Sequence, residues 1–99
     1  MTLYLYAITE SYQWYNGADA THWGVHKTLE GAKKHLREII EEKFDYMKDL
    51  LDIDTDTEEG KKEWDKWIDS RFYDNGMMWE DEDDDSITKY YIEQTELED

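Results

Sequence analysis

The stretch that decides the fold is Thr28-Leu29-Glu30-Gly31-Ala32-Lys33-Lys34-His35-Leu36-Arg37-Glu38-Ile39-Ile40-Glu41-Glu42-Lys43-Phe44-Asp45-Tyr46-Met47-Lys48-Asp49-Leu50-Leu51. Thr28 reads as a helix N-cap, because its hydroxyl can accept an otherwise orphan backbone N–H. Leu29, Ala32, Leu36, Ile39, Ile40, Phe44, Met47, Leu50 and Leu51 follow at helical steps. At 100° per residue they fall in one arc about 140° wide. The spacing predicts one helix over 29–51, about 34 Å long at 1.5 Å per residue. Lys43 lies inside the arc, where its stem can cover the core while its ammonium reaches water.

Upstream, residues 3–9 are aromatic and aliphatic and suit a strand. Leu3, Leu5 and Ala7 would face one side, and Tyr4, Tyr6 and Ile8 the other. Asn16-Gly17 signals a turn, and residues 22–27 suit a returning strand. Downstream, 52–57 break the helical pattern, since Asp and Thr compete for backbone hydrogen bonds. Thr55 and Glu58 match a capping box. A second helix is expected over 57–72, with Trp64, Trp67, Ile68 and Phe72 on its buried stripe. Asn75-Gly76 ends it. Met77, Met78 and Trp79 read as core or edge packing, and residues 87–97 as a closing strand. The expectation is an α+β domain over 1–99. It comprises an antiparallel sheet of about three strands, covered on one face by a long and a shorter helix.

Charge is the unusual property. Among 99 residues, 27 acids stand against 11 bases, a net charge of −16. The first half is nearly balanced, and the excess falls in 52–99. Such a balance excludes a basic nucleic-acid groove. Fifteen percent of residues are aromatic, which argues for a folded core despite the charge. There is no Cys, hence no disulfide, thiol nucleophile or thiolate metal site. No apolar run approaches the ~18 residues of a membrane span, and Met1-Thr2-Leu3-Tyr4 lacks a basic signal-peptide start. The expected setting is cytoplasmic.

Catalytic signals are weak. Ser11, Ser70 and Ser86 sit in no nucleophile motif, and no glycine-rich phosphate loop occurs. Carboxylate pairs are inevitable in so acidic a chain. If 22–26 is a strand, His22 and His26 share a face but lie about 13 Å apart, too far for one metal. No enzyme activity and no cofactor are expected. Asp52, Asp54, Asp56 and Glu63 occupy positions 1, 3, 5 and 12 of an EF-hand calcium loop. Position 6 holds Thr57 where that loop needs Gly, so a calcium-binding helix–loop–helix is the alternative reading.

The main candidate is the acidic surface. Glu58, Asp65 and Asp69 project within about 40° of one another on the second helix. Asp52, Asp54, Asp56, Asp74 and the run Glu80-Asp81-Glu82-Asp83-Asp84-Asp85 extend it. Spaced carboxylates offer a basic groove what phosphates offer it. The bland alternative is a solvated surface serving solubility.

The order of strand, Thr-capped helix and closing strand is carried by Gly24 to Leu36 and by Tyr90-Tyr91-Ile92-Glu93-Gln94-Thr95-Glu96-Leu97. It resembles many short phage-encoded proteins. In size and charge the chain resembles small phage anti-defence proteins that mimic DNA, such as anti-restriction and some anti-CRISPR proteins. The resemblance implies a stoichiometric inhibitor, cytoplasmic in a bacterial host. Its partner would be a basic nucleic-acid-binding host protein, with no direct nucleic acid or membrane contact. A further alternative is an accessory protein that grips a host protein through its aromatic residues.

Overall fold

A computed structural model describes residues 3–14, 16–83 and 85–97. The chain runs β1 (Leu3–Trp14), β2 (Gly17–His26), α1 (Leu29–Lys43), α2 (Tyr46–Leu50), α3 (Glu58–Asp69), β3 (Phe72–Tyr73), β4 (Met78–Glu82) and β5 (Ser86–Leu97). The strands form one antiparallel sheet in the order β2-β1-β5-β4-β3. This corrects the expected sheet of about three strands under two helices. The described residues form five strands and three helices.

The decisive stretch is not one helix. Thr28 does cap α1, accepting the Gly31 N–H at 3.0 Å. The helix stops at Phe44, and Met47 N–H then bonds back to the Phe44 carbonyl at 2.9 Å. Phe44 is buried against Trp67 and Trp79, at the limit of the core. Beyond it the core covers the apolar positions only in part: Met47 still packs against it, but Leu50 is 70% exposed.

A Schellman motif closes α2. Ile53 N–H reaches the Lys48 carbonyl at 2.8 Å, and Asp52 N–H approaches that of Asp49 at 3.4 Å. Asp52 takes the left-handed conformation that the motif demands, with φ 55°. Its neighbour Ile53 packs against the core.

Thr57, not Thr55, caps α3, accepting the Gly60 N–H at 3.0 Å. The helix ends at Asp69 rather than 72. Phe72 opens β3, whose hairpin to β4 turns through Asp74, Asn75 and Gly76, all at positive φ.

Ile8, Tyr90, Ile92 and Trp79 face the helices, meeting Ala32, Leu36, Ile39, Ile40, Phe44, Trp64 and Ile68. Trp79 is fully buried, and its indole N–H donates to the Ile68 carbonyl at 2.9 Å. That bond ties β4 to the last turn of α3. Among the described residues no helix is long and apolar enough to cross a membrane.

Candidate functional site

The acids singled out in the sequence divide into two groups. Asp65 and Asp69, one helical turn apart on α3, both accept from the Arg37 guanidinium of α1. Asp81 receives Arg71 Nε at 2.9 Å, while that guanidinium lies 4.0 Å over the Trp67 ring. Glu80 stands opposite Lys89 across β4 and β5, with the charges 3.8 Å apart. These four carboxylates fasten elements together.

Others shape the backbone. Asp54 accepts the Asp56 N–H at 3.0 Å, and its carbonyl accepts the Thr57 hydroxyl at 2.8 Å. Asp83 accepts the N–H groups of Asp85 and Ser86, each at 2.8 Å. Those bonds hold its carboxyl below the usual range. Asp74 and Asp52 occupy left-handed positions. Asp84 lies outside the described residues.

What remains is a smaller set of acids. Of those from Asp52 to Glu96, only Asp65, Asp69, Glu80 and Asp81 meet a Lys or Arg within 4.0 Å among the described residues. Asp52, Asp56, Glu58, Asp74, Glu82 and Asp85 have no such partner among the described residues. They are spread over the α2–α3 turn, the start of α3, the β3–β4 turn and the β4–β5 end. Of the acids singled out in the sequence, those without a basic partner are therefore spread over several turns and the first turn of α3 instead of one helix face.

The calcium-loop arrangement does not form. Only 51–57 separate α3 from the end of α2, so position 7, Glu58, is already helical and Glu63 lies well inside α3. A twelve-residue loop cannot wrap an ion when half of it is helix. Among the described residues no group of three His, Cys, Asp or Glu could hold a metal ion.

The histidines are arranged differently from the expectation. A bulge in β2 sets Ile8 opposite Gly24 and Thr9 opposite His22. The extra residue, Trp23, shifts the face, so His22 lies beside Thr9 and His26 pairs with Tyr6. His26 Nε2 instead meets His35 Nδ1 of α1 at 2.8 Å, ring edge to face. One ring must donate and the other accept.

No sequence pattern announces a cleft on the helix-bearing face, beside the C-terminal end of α1. Its volume is about 220 Å³, and Glu10, Tyr12, Lys43, Phe44, Tyr46, Asp81, Asp83, Ser86, Thr88 and Tyr90 line it. A second hollow shares Glu10, Tyr12 and Lys43 and adds Trp14, Asp19 and Thr21. Glu10 is 9% exposed and accepts the Trp23 indole N–H at 2.9 Å. Tyr90 is buried beside the Glu10 carboxylate. Burial, and then hydrogen bonding to Glu10 and the charge of that carboxylate, push the Tyr90 phenol far up. Burial followed by the charges of Asp81 and Asp83 raises Tyr46 too. Three carboxylates, Glu10, Asp81 and Asp83, and one ammonium, Lys43, line the cleft. Only pairing in space, β1 with β5 and both with α1, brings these residues together.

Comparison with protein-family models, curated proteins and solved structures finds no match. The functional reading rests on the chain's own chemistry.

Proposed function

We propose that the protein is a non-enzymatic binding protein. Its acidic surface replaces nucleic-acid phosphates in the basic site of a host defence protein, of the restriction or CRISPR type. One observation carries the reading: a net charge of −16 on 99 residues, with most acids beyond residue 51 left without a basic partner among the described residues. Self-repulsion of this kind destabilises a fold, and a partner rich in Lys and Arg would relieve it. Association with such a partner would be fast and salt-sensitive. The narrower set of Asp52, Asp56, Glu58, Asp74, Glu82 and Asp85 carries this role better than the tethered Asp65, Asp69, Glu80 and Asp81. Asp54 and Asp83 act first as turn formers.

The test is capture from bacterial lysate, washed at rising salt and with competing DNA. The expected catch is a nucleic-acid-binding protein, released by both treatments. Changing Asp52, Asp56, Glu58, Asp74, Glu82 and Asp85 to Asn or Gln should then abolish capture. Capture that survives those changes and ignores both salt and DNA would overturn the reading.

A further inference from the structure

We propose that His26 and His35 form an open, two-ligand site for a late first-row transition-metal ion of the zinc or copper class. Water, or a side chain of a partner, would fill the remaining positions. The site does not rest on the acidic-surface reading above.

Two elements build the pair. Gly24, at φ 143°, lets β2 bulge. The extra residue separates the two histidines of that strand: His22 bonds to Thr9, while His26 turns to α1. His35 comes from the second turn of α1.

His26 Nε2 and His35 Nδ1 lie 2.8 Å apart, with the ring centres 4.9 Å apart, so each nitrogen points towards the other. Two neutral imidazoles settle this by sharing one proton, a bond worth about 1 kcal/mol. A metal ion can take that proton's place. Two imidazoles on a tetrahedral ion, at Zn–N distances of about 2.0–2.1 Å, hold their nitrogens about 3.4 Å apart. The pair must therefore open by about 0.6 Å. His26 ends β2, and only Lys27 and Thr28 link it to α1, so the movement falls at an element's end. The donating ring would carry its proton on its other nitrogen instead. No proton is lost when both rings are neutral.

Both rings border an open hollow of about 380 Å³, lined also by Gly31, Lys34 and Glu38. An ion can thus arrive from solvent. Glu38 lies one turn beyond His35 and offsets the charge of Lys34. It adds field rather than a third bond, since no group of three donors converges among the described residues. The net charge of −16 concentrates cations around the whole molecule. Donor chemistry then sorts them: carboxylates suit magnesium and calcium, whereas imidazole suits zinc and copper.

The experiment is titration of the full chain with Zn²⁺ at neutral pH, in excess Mg²⁺ to occupy the carboxylates, followed by NMR of the histidine rings. One equivalent should shift the His26 and His35 ring signals together and leave those of His22 in place. The ring nitrogens should report metal on Nε2 of His26 and Nδ1 of His35. Mg²⁺ alone should leave both rings untouched. His35→Asn and His26→Gln should each weaken Zn²⁺ by at least about tenfold, a loss that even outer-shell partners of a ligand can cause. His22→Gln should bind as the wild type does. Zn²⁺ should also raise the melting temperature of the wild type but not of His35→Asn. The wild-type ring signals decide the matter even where a variant fails to fold. Zn²⁺ that shifts carboxylate or His22 signals and spares the pair would overturn the site. So would equal affinity in His35→Asn.

Discussion

Single residues show how much of the acidity is structural. Asp52 sits at the position where a Schellman motif favours glycine. Removing its Cβ relieves left-handed strain, partly offset by a freer unfolded chain. Asp52→Gly should therefore stabilise the protein by about 0.5–1 kcal/mol, measured by urea unfolding. Gly60 runs the other way. In an exposed helix interior Ala is normally worth about 1 kcal/mol more than Gly. Here a Cβ would run into the backbone carbonyl of Asp54. Gly60→Ala should cost about 2–3 kcal/mol, because backbone must move to admit it. A gain in stability would show that the α2–α3 turn is loose.

Elements were legible where burial follows one face. β1, α1 up to Lys43 and β5 all show this, and each begins or ends near its expected boundary. β4 was hidden because it carries Glu80 and Asp81. Strands seldom hold such residues, and these two are accommodated by Lys89 and Arg71 from other elements. No local pattern announces a distant guanidinium. β2 was read too short because its first half is exposed at the sheet edge and shows no apolar alternation. The long helix was overextended for the converse reason: apolar spacing continued to Leu50 and Leu51, which the core leaves exposed.

The β4–β5 connection makes a testable claim about pH. The Asp83 carboxylate is favoured by N–H donors from Asp85 and Ser86, so its folded value lies below the unfolded one. Its contribution is present above the unfolded value and is lost as pH falls through the folded value. A carboxyl NMR titration should find Asp83 protonating below the ordinary Asp value of 3.8. Ser86→Ala should move that midpoint only slightly, because the backbone donors remain.

At the scale of the whole molecule, the candidate surface was legible as composition but not as geometry. The sequence shows how many acids there are. Only the fold shows that Arg37 gathers Asp65 and Asp69, and that Arg71 takes Asp81. The remaining excess makes two opposed salt predictions. Exposed charges repel over distances that added salt screens, with a Debye length of about 10 Å at 0.1 M and about 3 Å at 1 M. Screening should therefore stabilise the free protein, since a net −16 is held on a small surface. Relief of about 1 kcal/mol corresponds to a rise of about 4–8 °C in Tm for a domain of this size. The same screening should weaken capture of a basic partner, because counterion release drives such binding. One sodium chloride series can read both quantities, by calorimetry on the free protein and by affinity for the captured partner. A Tm that rises while affinity falls is what a phosphate-replacing surface requires. A flat Tm would mean that the acids are already neutralised within the fold. An affinity that ignores salt would move the contact to the aromatic residues around the cleft.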